Sequence, residues 1–198
     1  MQHSLDRMAL AFPGAAICVV IAAADCWFDK CIAIPNGVRV LRSGGESREN
    51  TVRNAVDSLI EPDDNDWVLV HDAVRPCIDL ASLLRLQVDL ADDSVGGLLA
   101  IAVSDSLKLV ADDDRVASSH PRDRMWRAQT PQMFRCGLLR KAFAHPGIER
   151  WTDEASAIEA LGLTPRIVVG SGFNVKITFP EDLDLASAIM TAQAHRGF

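Results

Sequence analysis

A short apolar run, Trp67-Val-Leu-Val70, breaks off at His71-Asp72-Ala-Val-Arg75-Pro76, and this junction constrains the fold more than any other stretch of the chain. An unbroken apolar run of that length reads as a strand covered on both faces, and Pro76 cannot continue a hydrogen-bonded ladder. The chain therefore leaves its sheet near Asp72. In an open α/β sheet the ligand crevice lies beyond the carboxyl ends of the strands, so Asp72 and Arg75 are expected at its lip. Taken alone, the stretch leans slightly toward a simpler reading, in which Asp72 caps a turn and Arg75 is solvated.

Apolar runs and amphipathic segments alternate around this junction. Leu5, Met8, Ala9 and Phe12 recur at helical spacing, with no start signal upstream and Pro13 beyond. Ala16 to Ala22 and Val38 to Leu41 read as strands, and Ser43-Gly-Gly-Glu46 interrupts the chain before a helix from Arg48 to Ile60. That helix carries Val52, Ala55, Val56 and Leu59 on one stripe. Asp63 to Asp66 forms a polar turn into the Trp67 strand. Asp79 is placed to cap a helix burying Leu83, Leu84 and Leu86 or Val88, and Gly96-Gly97 precedes a strand from Leu98 to Val103. The order predicts an α/β fold: a mainly parallel, Rossmann-like sheet with helices on both faces. The segment from Ser104 to Phe134 breaks the alternation, and within it Ser106 to Val110 and Val116 to Ser119 read as a hairpin arm standing off the sheet. Beyond it come a helix from Cys136 to Ala144, another capped by Thr152 and stopped by Gly162, and strands at Arg166–Val169 and Asn174–Thr178. A last helix follows Pro180, with Leu183, Leu185, Ala186 and Ile189 facing the core.

With 198 residues, 48% hydrophobic and 24% charged, the chain suits a single soluble domain. A net charge of -7 and a pI near 5.2 supply no overall basic field, which argues against broad binding of nucleic acid or acidic membrane. Five cysteines without a CxxC pair argue against a disulfide framework or a zinc site, and a reducing cytoplasm is the simplest home. The apolar run from Ala15 to Ala24 is too short to span a bilayer and lacks the basic flank of a signal peptide. The five histidines show no ligand spacing, and neither GxxxxGK nor GxGxxG occurs.

Asp72, Arg75, Asp105, Ser106, Lys108, Arg122, Thr130, Thr152, Asp153 and Lys176 all fall at expected element ends, where chemistry is usually placed. Lys176 stands between Val175 and Ile177, so it points away from their face, toward water or a phosphate. The cluster Arg122-Asp-Arg124-Met-Trp-Arg127 suits either a phosphate clamp or the basic surface of an arm.

Four ordered motifs join these scattered positions. Val70-His-Asp72-Ala-Val-Arg75-Pro76, Arg127-Ala-Gln-Thr130-Pro131-Gln132-Met-Phe134, Thr152-Asp153-Glu154-Ala-Ser156, and Asn174-Val-Lys176-Ile-Thr178 with Pro180-Glu-Asp-Leu resemble the 2-C-methyl-D-erythritol 4-phosphate cytidylyltransferases. The likeness also takes in Gly44-Gly45-Glu46-Ser-Arg48 and Ser104-Asp105-Ser106-Leu-Lys108, and so nearly the whole chain. It implies a nucleotide-diphospho-sugar transferase-like fold and cytidylyl transfer from CTP to methylerythritol phosphate, with Mg²⁺, in a homodimer whose arm reaches the partner's site. It further implies catalytic roles for Lys176 and Arg122. Asp72 would hold the cytidine ribose or the acceptor's hydroxyls, Arg75, Ser106, Thr130, Thr152 and Asp153 would bind substrate, Ser106 standing where the family usually has Thr, and Gly45, Glu46 and Thr51 would lie along the cytidine.

One departure stands out. The family opens with a strand, an Ala-Ala-Gly loop, an Arg and a Pro-Lys-Gln, and none of these occurs here. That loop would wrap the triphosphate with backbone N–H groups. An N-terminally truncated active-site set is thus expected, with an apolar sheet edge where the strand would lie. Two further readings follow, a catalytically silent dimeric relative or binding protein and a nucleotidyltransferase with another acceptor; retention of Asp72, Arg122, Thr152, Asp153 and Lys176 weighs against the last.

Overall fold

The computed structural model describes residues 1–59, 63–146 and 151–195. Its elements are α1 (Gln2–Ala11), β1 (Cys18–Ala22), α2 (Phe28–Cys31), β2 (Arg39–Gly44), α3 (Arg48–Ser58), β3 (Trp67–Val70), α4 (Leu80–Leu90) and β4 (Gly96–Ala102). After them come β5 (Leu107–Val110), β6 (Val116–His120), β7 (Trp126–Arg135), α5 (Cys136–Ala144), α6 (Glu154–Glu159), β8 (Arg166–Val169) and α7 (Glu181–Ala194). The α/β class is the one the alternation predicts. A four-stranded sheet in the order β3-β7-β4-β8 has three strands running one way and β7 running against them, while β1 and β2 form a separate parallel pair.

Strand periodicity sends successive side chains to opposite faces, and each face has its own helices. Leu98 and Phe134 pack with Val56 of α3, Leu139 of α5 and Ile158 of α6. Leu99 and Met133 pack with Leu83, Leu86 and Leu90 of α4 and with Met8 and Phe12 of α1. Burial of each such side chain contributes about 2 kcal/mol against the entropy of ordering the chain. In α4 the helical stripe leaves Leu84 and Val88 exposed, and in α7 Ala186 and Ile189 are buried while Leu183 and Leu185 face outward, contrary to the sequence expectation for those residues.

The longest strand, β7, was hidden by its own chemistry. Gln129, Thr130, Pro131 and Gln132 do not look like a central strand, because a proline has no N–H for a ladder. The β4–β7 register absorbs them: Leu98 pairs with Gln132 and Ala100 with Ala128, so Gln129, Thr130 and Pro131 all lie opposite Leu99 as a bulge. The Thr130–Pro131 peptide is cis. Conversely, Asn174 to Thr178 is not a strand. Its Ile177 N–H donates to the Val74 carbonyl at 2.9 Å and its Asn174 side chain donates to the Thr130 carbonyl at 2.8 Å, single bonds that lay it across the Asp72 turn without a ladder. At α6 the cap is Asp153, not Thr152: Asp153 accepts from Ser156 N–H at 2.9 Å, and the Ser156 hydroxyl completes a capping box. α3 ends at Ser58, with Leu59 as its C-cap, short of the Ile60 expected from the sequence, which itself lies outside the described residues.

Among the described residues β1 pairs only with β2, and β3 only with β7. A cavity of about 960 Å³ is lined by residues of both β1 and β3, among them Val19 and Leu69, together with Met8 of α1, Phe12 just after it, and Val52 and Val56 of α3. Arg48, His71 and Asp72 stand among its lining residues, so the cavity opens onto the end of β3.

Candidate active site

Asp72 follows β3 by two residues, and its side chain is only 9% exposed. Three cations from three parts of the chain meet it. Arg48 Nε donates to Oδ1 at 2.8 Å, Lys176 Nζ stands 3.2 Å from Oδ2, and Arg75 Nε lies 3.6 Å from the same oxygen. Burial alone would raise the Asp72 carboxyl, but Arg48 and Lys176 outweigh it and hold it below the usual carboxylate range.

Local structure explains each arrival. Arg48 opens α3, whose cap Ser47 accepts from Asn50 N–H at 3.2 Å. The preceding Gly44-Gly45 turn is tight: a Cβ on Gly45 would stand 2.5 Å from Asn50 Cβ, and one on Gly44 2.8 Å from the Ile21 carbonyl oxygen. Lys176 is delivered as its spacing predicts, since Val175 and Ile177 pack against Cys77, Ala186 and Ile189. Arg75 is fixed from behind, its Nη1 donating to the Asn174 carbonyl at 2.8 Å.

Two buried groups complete the frame. Glu154, the first residue of α6, is fully buried and accepts from Arg48 Nη1 at 2.8 Å and Nη2 at 3.0 Å. Burial pushes its carboxyl up while the Arg48 fork pulls against that rise, and the same contacts hold the Arg48 guanidinium firmly charged. His71 is held down at about 4 by burial and is therefore neutral near pH 7. Its Nδ1 lies 3.0 Å from Thr130 Oγ1, which also accepts from Asp72 N–H at 3.0 Å, and its Nε2 lies 3.3 Å from the Arg75 carbonyl. One assignment satisfies all three contacts: the Thr130 hydroxyl donates to Nδ1, and Nε2–H donates to the carbonyl.

Of the residues singled out in the sequence, Asp72, Arg75, Thr130 and Lys176 meet directly. Thr152 and Asp153 adjoin Glu154, and Asp153 is engaged as a cap and by Gln132 Nε2 at 2.9 Å. Gly45, Glu46 and Thr51 adjoin Arg48; Thr51 Oγ1 accepts from Gly45 N–H at 3.0 Å, while Glu46 is exposed. Ser106 and Arg122 are not brought to this group. Both are exposed on the arm, where Arg122 Nη1 donates to the Ser104 carbonyl.

Arg48, Glu154 and His71 were missed as site residues, although each sits inside a motif. Their types gave no sign that positions 48 and 154 would form one ion pair. No group of three His, Cys, Asp or Glu able to hold a metal ion occurs among the described residues. Asp72, the carboxylate at the centre, is already faced by cations, so this donor set does not suit a metal held by the protein alone.

A cluster of three cations and two carboxylates carries one positive charge in excess, a balance that favours an anion over a cation beside it. Comparison with known proteins identifies relatives of the whole chain. The family model for 2-C-methyl-D-erythritol 4-phosphate cytidylyltransferase matches residues 1–192. The enzyme of that name from Chromobacterium violaceum is 45% identical over 193 residues, covering 98% of this chain and 85% of the relative. That from Laribacter hongkongensis is 48% identical over 193 residues, covering 96% and 83%. Among solved structures, a 4-diphosphocytidyl-2C-methyl-D-erythritol synthase superposes with a TM-score of 0.88 at 36% identity, covering 96% of this chain and 88% of that one. The Francisella tularensis 2-C-methyl-D-erythritol 4-phosphate cytidylyltransferase gives 0.80 at 35% identity, covering 93% and 87%.

Proposed function

Because the chain belongs to the 2-C-methyl-D-erythritol 4-phosphate cytidylyltransferase family, and so transfers cytidylyl from CTP to methylerythritol phosphate in the non-mevalonate route to isoprenoids, we propose how its residues divide that work. Nothing in the likenesses favours a catalytically silent relative. Asp72, Arg75, Thr130, Thr152, Asp153 and Lys176 form the acceptor side, and Gly45, Glu46 and Thr51 the cytidine side. The observation that carries this division is the meeting of Arg48, Arg75 and Lys176 on Asp72 within 3.6 Å, since an acceptor phosphate needs concentrated positive charge beside groups that can bind hydroxyls.

In the reaction a phosphate oxygen of the acceptor attacks the α-phosphorus of CTP, a new O–P bond forms, and the bond to pyrophosphate breaks. No covalent enzyme intermediate is required. Lys176 holds the attacking phosphate and offsets charge that builds on the phosphoryl oxygens, so catalysis is positioning plus charge stabilisation. Mg²⁺ is proposed to arrive on the triphosphate, because Asp72, the carboxylate at the centre of the site, is already faced by three cations.

Ser106 and Arg122 serve the site of a second protomer in this reading. The arm, about residues 104–128, supports that role, because Leu109, Val110 and Val116 on it are 54%, 52% and 61% exposed and their apolar surface calls for cover. A cytoplasmic setting is proposed from the free cysteines; no helix among the described residues is long and apolar enough to cross a membrane.

The direct test is pyrophosphate release by the protein supplied with CTP, methylerythritol phosphate and Mg²⁺. The expected result is turnover that needs both substrates. Release no faster than an enzyme-free control, in a folded sample, would contradict the reading.

A further inference from the structure

The buried carboxylate of Glu154 has no place in the chemistry so far, yet it is tied to the centre of the site. Its α6 helix carries Thr152 and Asp153 just upstream, on the acceptor side, while Arg48 follows Gly45 and Glu46, on the cytidine side. One guanidinium joins the two: Nη1 and Nη2 donate to Glu154 at 2.8 and 3.0 Å, and Nε donates to Asp72 Oδ1 at 2.8 Å. A guanidinium is planar and rigid, so pinning its two terminal nitrogens fixes the direction of Nε. That commits Oδ1 of Asp72 to Arg48 and leaves Oδ2 facing Lys176 and Arg75. A buried ion pair is a poor way to gain stability, because apolar side chains of similar volume commonly do as well or better. Its value here lies in orientation.

We propose that Glu154 is a positioning residue for the cytidylyl transfer: by holding Arg48 in one orientation it sets the rotamer of Asp72, and through it the place of the Lys176 ammonium, and it links the cytidine-side turn to the acceptor-side turn. Glu154 touches no substrate; it acts through Arg48. The proposal rests on the assignment of Asp72 and Lys176 to the acceptor site.

The test is a double-mutant cycle in the full protein with Glu154→Gln and Arg48→Lys, reading kcat and KM for each substrate alongside the urea midpoint. Glu154→Gln keeps size but cannot accept both guanidinium bonds. It is expected to lower kcat by about 100-fold, the scale of an ångström's misplacement at a reacting group, in a protein that still unfolds cooperatively. In the Arg48→Lys background the same change is expected to cost less than threefold, because the fork it orients is gone. Full additivity, or unchanged kcat, would overturn the proposal. Where Glu154→Gln does not fold, Glu154→Asp keeps the charge on a shorter arm and carries the same expectation.

A second readout stands apart from catalysis. In ¹⁵N-resolved NMR the Arg48 Nε–H, identified by its loss in Arg48→Lys, is expected to exchange slowly with water in the wild type and at least tenfold faster in Glu154→Gln, or in Glu154→Asp where Glu154→Gln does not fold. Equal exchange would refute the link from Glu154 to Arg48. Failure of the wild type to turn over, with the exchange difference intact, would instead count against the functional reading.

Discussion

His71 shows how a buried neutral group ties the site to stability. Its folded-state pKa, lowered to about 4, lies below the ordinary 6.5, so between these values the unfolded chain takes up a proton that the folded protein refuses. Stability from this group is complete above 6.5 and is lost as pH falls toward 4, by up to about 3 kcal/mol. We expect the urea midpoint of the wild type to fall more steeply from pH 7 to pH 4.5 than that of His71→Gln, which cannot titrate and still offers a donor to the Arg75 carbonyl. Parallel pH profiles would show that His71 does not carry the proton linkage. At this scale the sequence was legible where a residue's neighbours in the chain decide its direction. Lys176 is the clearest case, because alternation with Val175 and Ile177 sends it to the opposite side. It was illegible where a partner lies far along the chain, as with Arg48 and Glu154.

At the scale of elements, the fold was readable in its alternation of strands and helices and unreadable where a polar bulge replaces an apolar ladder. β7 fills the middle of its sheet with Gln129, Thr130 and Gln132, all buried, and each makes a hydrogen bond to a partner that only the folded chain supplies. Gln132 is the clearest example. Its Nε2 donates to Asp153 Oδ2 at 2.9 Å and its Oε1 accepts from Ala155 N–H at 2.8 Å, which fastens the start of α6 onto the sheet. An orphaned buried N–H costs about 1–3 kcal/mol. Gln132→Leu is therefore expected to lose stability on that scale by urea denaturation, despite adding an apolar side chain to an interior position. A stability equal to or above wild type would mean that α6 does not depend on this clasp. The departure of Asn174 to Thr178 from a strand has the same origin, since its backbone bonds go to the Asp72 turn and to Arg75 rather than to a neighbouring strand.

On the scale of the whole molecule, an acidic chain gathers three cations at one point, the end of β3, and presents apolar surface on the arm and in the slot between β1 and β3. The arm was legible as a hairpin because its strands are short, polar at the turn and set apart from the sheet pattern. Its pairing with a second protomer is tested by sedimentation velocity at micromolar concentration, where a dimer is expected and a monomer would contradict it. The turn at Asp72, which its own sequence presents as a simple capped turn, is the point where three cations, a buried glutamate and a neutral histidine converge. The most direct test of that centre is calorimetric binding of methylerythritol 4-phosphate, without nucleotide, to wild type and to Lys176→Ala. Loss of one charged hydrogen bond predicts affinity weaker by about tenfold to a hundredfold, with the urea midpoint little changed. Equal affinity in the two proteins would contradict the placement of the acceptor phosphate beside Asp72.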